Sequence, residues 1–120
     1  MKKCILIYDD SQDILLLCKA ILEATNYQIE TMLQCENIIA DIDLIKPDLI
    51  LMDLWIPKIG GENAVRLVKS DPVAGHIPII LFSADSEIEK ITLKVKANGY
   101  LKKPFDINTL KEILKNHLQN

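Results

Sequence analysis

Strand-like and helix-like patterns alternate five times along these 120 residues, and that alternation constrains the fold more than any other property of the chain. Cys4 to Tyr8, Leu49 to Met52 and Ile77 to Phe82 are nearly continuous apolar runs, the pattern of strands covered on both faces. Pro78 falls near the start of its run, where a missing N–H is tolerated. Gln28 to Leu33 alternates polar with apolar residues and predicts a half-buried edge strand, and Tyr100 to Lys102 predicts a short fifth strand. Between these runs the period is helical. Ile14, Leu17, Cys18, Ile21 and Leu22 share one face behind a Ser11 cap, with Asn26 as the stop. Ile38, Ile39, Ile42 and Ile45 form a second stripe closed by Pro47. Gly60-Gly61 opens a third helix with Ala64, Leu67 and Val68 facing inward. Ser86 and Glu89 have capping-box spacing for a fourth, and Asp106 caps a fifth bearing Ile107, Leu110, Ile113, Leu114 and Leu118. Strict alternation implies an α/β fold, a doubly wound five-stranded parallel sheet with five helices on its two faces. Residues 1–120 read as one domain around one core.

Composition narrows the function classes. The formal charge is -3 and the lysines are spread without a basic block, which argues against direct nucleic-acid binding. No apolar run approaches the roughly 20 residues that cross a bilayer. Lys2-Lys3 followed by apolar residues imitates the start of a signal peptide, but Asp9-Asp10 ends the stretch too early for one. Cys4, Cys18 and Cys35 are odd in number and match no metal or redox spacing. Free buried thiols in a reducing cytoplasm are the expectation.

Four of the predicted strands end in chemistry: Ile7-Tyr8-Asp9-Asp10, Leu51-Met52-Asp53, Leu81-Phe82-Ser83 and Leu101-Lys102-Lys103-Pro104. In a parallel sheet these ends lie side by side, at the edge where such folds bind ligands. Three carboxylates, a hydroxyl and an ammonium group gathered there suit a carboxylate that accepts a phosphoryl group beside a divalent metal. A carboxylate attacks phosphorus poorly unless charge repulsion is relieved and the phosphoryl group is held in line. A hard cation such as Mg²⁺ favours oxygen ligands and supplies that relief. Without it, three close acids repel, and at least one is expected to titrate high. Strand alternation sends Lys102 and Lys103 to opposite sides and favours Lys103 for the site. A phosphatase or mutase with an Asp-x-Asp nucleophile motif is disfavoured, because the second acid's place is taken by Trp55. A flavin carrier of related fold is disfavoured by the acidic loop Asp9-Asp10-Ser11-Gln12-Asp13. His76 falls at the opposite end of the sheet and His117 in a last helical turn, both structural or solvated. Leu93 lies off the buried face of its helix and is a candidate for a partner surface.

These residues resemble bacterial two-component response-regulator receiver domains, in the single-domain style of the chemotaxis regulator. The resemblance rests on Asp9-Asp10, on Leu51-Met52-Asp53-Leu54-Trp55-Ile56-Pro57, on Ser83-Ala84 and on Tyr100-Leu101-Lys102-Lys103-Pro104-Phe105, in order over the whole chain. It implies a flavodoxin-like strand order 2-1-3-4-5. It implies Asp53 as phosphoacceptor, with Asp10, Asp53 and the backbone carbonyl of Trp55 on Mg²⁺ (or Mn²⁺) and Asp9 acting through water. Ser83 and Lys103 are implied to engage the phosphoryl oxygens, Tyr100 to change rotamer with Ser83, and the Lys103–Pro104 bond to be often cis. The implied function is a stand-alone phosphorylation switch, not an enzyme acting on other molecules. A sensor histidine kinase or histidine phosphotransfer protein would load it, and the surface of the fourth helix, fifth strand and fifth helix would control a downstream effector. The alternative is a receiver-like interaction scaffold that works without phosphorylation. Serine at position 83 where threonine is usual, Gly60 before the glycine, and the bulky Trp55 depart from the commonest pattern and bear on rates.

Overall fold

In the computed structural model, which describes residues 2–118, each apolar run is a strand and each amphipathic stretch a helix. The order is β1 (Cys4–Tyr8), α1 (Gln12–Glu23), β2 (Gln28–Met32), α2 (Ile38–Ile45), β3 (Leu49–Asp53), α3 (Gly61–Ser70), β4 (Ile79–Ser83), α4 (Ile88–Val95), β5 (Gly99–Lys102) and α5 (Ile107–Leu118). A 3-10 turn, Ala74–His76, precedes β4. All pairings are parallel and the strand order is β2-β1-β3-β4-β5, the flavodoxin-like order. The alternating polar strand β2 is an edge, as its pattern requires. The three continuous apolar strands lie inside.

Successive side chains leave a strand on opposite faces, so the sheet separates two apolar layers. Leu6, Tyr8, Ile50, Met52, Ile79 and Leu81 meet α2, α3 and α4 on one side. Ile5, Ile7, Leu49, Leu51, Ile80 and Phe82 meet α1 and α5 on the other. Cys4, Cys18 and Cys35 are free and buried; burial raises all three thiols, Cys18 and Cys35 to about 11, which leaves them poor nucleophiles.

Four local expectations are corrected. In α1 the buried stripe is Leu15, Cys18 and Leu22, and Leu17 is 51% exposed. The run Ile14-Leu15-Leu16-Leu17 offers several apolar faces, and docking on the sheet selects the one centred on Leu15. In α3 the inward residues are Ala64, Val65 and Val68, while Leu67 is 46% exposed. The rotation follows from Gly61: a Cβ there would stand 2.7 Å from the Leu54 Cα and 2.9 Å from the Asp53 carbonyl oxygen. Gly61 therefore fixes which side of the helix faces the sheet. The Ser86–Glu89 capping box does not form; α4 starts at Ile88, with the Asp85 carboxylate accepting the Glu87 N–H at 2.8 Å. In α5, Ile107 at the first turn is also exposed, and Leu110 and Leu114 carry the contact.

Candidate functional site

The sheet reverses direction of growth between β1 and β3, and the loops beyond their carboxyl ends form one acidic pocket. Asp9 follows β1 directly and is almost wholly buried. One of its oxygens accepts the Ser11 N–H at 2.8 Å, closing the turn into α1, where the Ser11 hydroxyl caps the helix at Ile14. Its other oxygen accepts the Lys103 Nζ at 2.7 Å. Asp10 is exposed at the mouth. Asp53 is the last residue of β3, buried, and its Oδ1 stands 3.5 Å from the same Nζ. One oxygen from each of Asp9, Asp10 and Asp53 lies within 4.8 Å of the others. An all-oxygen set of this size and charge fits a hard divalent cation such as Mg²⁺.

Lys103 reaches the acids because β5 stays in register past its end. The Lys103 N–H donates to the Ser83 carbonyl at 2.9 Å, one step beyond the Ser83–Lys102 pair. The stem then crosses Phe82, placing the ammonium 4.6 Å from the ring centre, a cation–π contact that steadies a side chain only 21% exposed. Lys102 points away and is exposed. The Lys103–Pro104 peptide bond is cis.

Ser83 ends β4 beside Asp53, since Asp53 pairs with Phe82. It is buried, and its Oγ accepts the Asp85 N–H at 3.0 Å, so it shapes the turn into α4. Among the described residues, its own O–H meets no acceptor. Trp55 is 64% exposed on the loop after Asp53, and Tyr100 stands at 37% on β5. The structure thus brings Asp9, Asp10, Asp53, Ser83 and Lys103 to one edge, with Trp55 beside it and Tyr100 on the flank. His76 holds the Val73 carbonyl at 2.6 Å, and His117 lies between the carbonyls of Ile113 and Asn98, both in structural contacts. Leu93 is 73% exposed.

Asp53 titrates above the ordinary carboxylate range. Burial is the largest cause; Lys103 opposes it, and Asp9 and Asp10 add to it. The expected repulsion among acids is therefore present but secondary to desolvation. Sequence reasoning missed Phe82 as the shelf under Lys103, because an aromatic in an apolar strand carries no signal of its own. It also read Gly60-Gly61 as a helix start alone, when Gly61 closely approaches the Asp53–Leu54 backbone and so bears on the loop that follows Asp53.

A family model described as the Response regulator receiver domain matches residues 5–115. The alkaline phosphatase synthesis transcriptional regulatory protein PhoP of Bacillus subtilis is 32% identical over 107 residues, covering 88% of this chain and 44% of that protein. This chain thus spans less than half the length of that relative. The polar-differentiation response regulator DivK of Brucella anthropi is 28% identical, with 98% of each chain covered. A high-resolution structure of the chemotaxis response regulator CheY4 of Vibrio cholerae superposes with a TM-score of 0.88 at 27% identity, covering 98% of this chain and 100% of that one.

Proposed function

This chain belongs to the response regulator receiver domain family of two-component systems, and from that premise we propose that residues 1–120 act as one phosphorylation switch with Asp53 as the acceptor. The observation that carries the reading is the ammonium of Lys103 set between two buried carboxylates, 2.7 Å from Asp9 and 3.5 Å from Asp53. An ammonium so placed balances the acids at rest and is in position to pair with phosphoryl oxygens when they arrive.

The donor is a phosphohistidine on a sensor histidine kinase or a phosphotransfer protein. An Asp53 carboxylate oxygen forms the new bond to phosphorus as the P–N bond breaks. The electron pair of that bond returns to the ring nitrogen, which is reprotonated from solvent. Asp10, Asp53 and the Trp55 carbonyl would hold Mg²⁺ or Mn²⁺, with Asp9 acting through water. When bound, the cation offsets the repulsion between the acids and the incoming phosphoryl oxygens. Ser83 donates its free O–H to one phosphoryl oxygen, and Lys103 shifts its hydrogen bonds from Asp9 and Asp53 to another.

Drawing Ser83 toward Asp53 loosens its hold on the Asp85 N–H and so moves the turn into α4. Tyr100, half exposed at rest, turns inward. The surface of α4, β5 and α5, including Leu93, then changes and controls an effector protein in the cytoplasm. Phosphate contacts that differ between two pre-existing states are sufficient to shift their populations. The chain is a switch and not an enzyme acting on other molecules.

Intact-mass measurement after incubation with acetyl phosphate and Mg²⁺ tests the reading. One added phosphoryl group is expected on the wild type and none on Asp53→Asn. Labelling that persists in Asp53→Asn would move the acceptor elsewhere and overturn it.

A further inference from the structure

The loop between Asp53 and α3 is braced by a segment that the phosphoryl chemistry does not use. Cys35, in the connection between β2 and α2, pairs with Lys58 as an isolated parallel bridge. Its N–H donates to the Pro57 carbonyl at 3.3 Å, and its carbonyl accepts the Ile59 N–H at 3.1 Å. Lys58 has φ of 81°, a conformation that residues with a Cβ adopt at a cost and keep only when neighbours over-determine it. The loop is therefore held from outside, and Cys35 is one of the residues that hold it.

Cys35 is itself placed by the core. It is fully buried, in the same apolar layer as Tyr8. Tyr8 is fully buried as well, and its hydroxyl donates to the Asp41 carboxylate on α2 at 2.6 Å. A tyrosine at the end of an interior strand needs such an acceptor, since an unpaired hydroxyl in an apolar layer is costly. Tyr8 also immediately precedes Asp9, the acid paired with Lys103. One hydrogen bond thus sits between α2, the end of β1 and the residue that braces the loop carrying Trp55.

We propose that Tyr8 and Asp41 are a positioning pair for the acidic pocket: their hydrogen bond seats Cys35, Cys35 seats the 54–60 loop, and the loop sets the pocket's affinity for a divalent cation. The inference rests on the reading of Asp9, Asp10 and Asp53 as a cation site. Neither residue touches the reacting atoms. Tyr8→Phe removes the hydroxyl and keeps the ring. Asp41→Asn keeps an acceptor oxygen, and Asp41→Ala removes the acceptor from the partly exposed helix without cutting into the core.

The test is a Mg²⁺ titration followed by Trp55 emission, together with amide hydrogen exchange of residues 54–60 in metal-free protein. Tyr8→Phe and Asp41→Ala are expected to weaken Mg²⁺ binding about three- to tenfold, the scale of one ordinary intramolecular hydrogen bond, and to speed exchange in the loop. Asp41→Asn is expected to lie close to wild type in both. Should Tyr8→Phe fail to fold, Asp41→Ala carries the test alone. Variants that lose thermal stability but keep the wild-type dissociation constant and loop exchange would overturn the proposal and leave the pair a core contact. A wild type that binds no Mg²⁺ would instead overturn the cation site beneath it.

Discussion

Replacing Lys103 with methionine keeps the length and most of the apolar stem while removing the only ammonium among the described residues in contact with Asp9 and Asp53. Stripping one partner from a buried ion pair costs about 3–5 kcal/mol. The side chain is 21% exposed, which places the loss in metal-free buffer near the lower end of that range, about 3 kcal/mol. Over 120 residues, an unfolding entropy of about 2.1 cal/mol/K per residue converts this to a fall in Tm of about 12 °C. The deficit depends on pH. Lys103 lowers the Asp53 pKa against the effect of burial, so its removal raises that pKa further. A carboxylate with a raised folded pKa makes the native state bind more protons than the unfolded chain, and stability falls as pH rises through the folded pKa. The variant's deficit is therefore largest at alkaline pH and shrinks as Asp53 becomes protonated. Mg²⁺ competes with the ammonium for the same oxygens, so it should bind the variant more tightly than the wild type and recover part of the loss. Thermal unfolding at pH 5 and pH 8, with and without Mg²⁺, reads all three effects. A variant as stable as wild type in metal-free buffer, or one that Mg²⁺ stabilises less than wild type, would refute the electrostatic account of the pocket.

Asp53→Asn removes a buried charge whose pKa is raised mainly by desolvation, so at neutral pH it should stabilise the metal-free protein, with the gain fading as pH falls below the folded pKa; equal melting temperatures at neutral pH would contradict this. In the wild type, Mg²⁺ at ten times its dissociation constant should add about 1.4 kcal/mol of stability, read as a rise in Tm; no shift at saturating Mg²⁺ would remove the cation from the account. Gly61→Ala places a Cβ 2.7 Å from the Leu54 backbone and should destabilise by about 1–3 kcal/mol as the helix is pushed off the loop. The same variant should slow labelling by acetyl phosphate, and unchanged urea midpoint and labelling rate would mean the close approach is not needed.

The pocket was legible because it is built at strand ends, where a two-residue period and a turn leave little freedom. Alternation alone separated Lys103 from Lys102, and the position of Asp53 at the end of an apolar run placed it at the edge of the sheet. The helices were less legible wherever their apolar residues exceeded one face. Ile14-Leu15-Leu16-Leu17 supports more than one rotation, and only docking on the sheet picks Leu15 over Leu17. The rotation of α3, with Val65 inward and Leu67 outward, depends on how closely Gly61 meets the Leu54 backbone, a distance no pattern encodes. α4 starts at Ile88 without the Ser86–Glu89 box because the Ser83 hydroxyl and the Asp85 carboxylate organise the preceding turn, accepting the Asp85 and Glu87 N–H groups. The Tyr8–Asp41 hydrogen bond joins residues 33 positions apart and has no local signature at all.

The most direct test of the shared pocket is a crystal structure of this chain with Mg²⁺ and beryllofluoride, a mimic of the phosphoryl group. The expected result is the mimic on Asp53, with the Ser83 hydroxyl and Lys103 ammonium on its fluorides and Asp10, Asp53 and the Trp55 carbonyl on the metal. A mimic bound to any other side chain, or a Lys103 ammonium still on Asp9 with no contact to the fluorides, would contradict it.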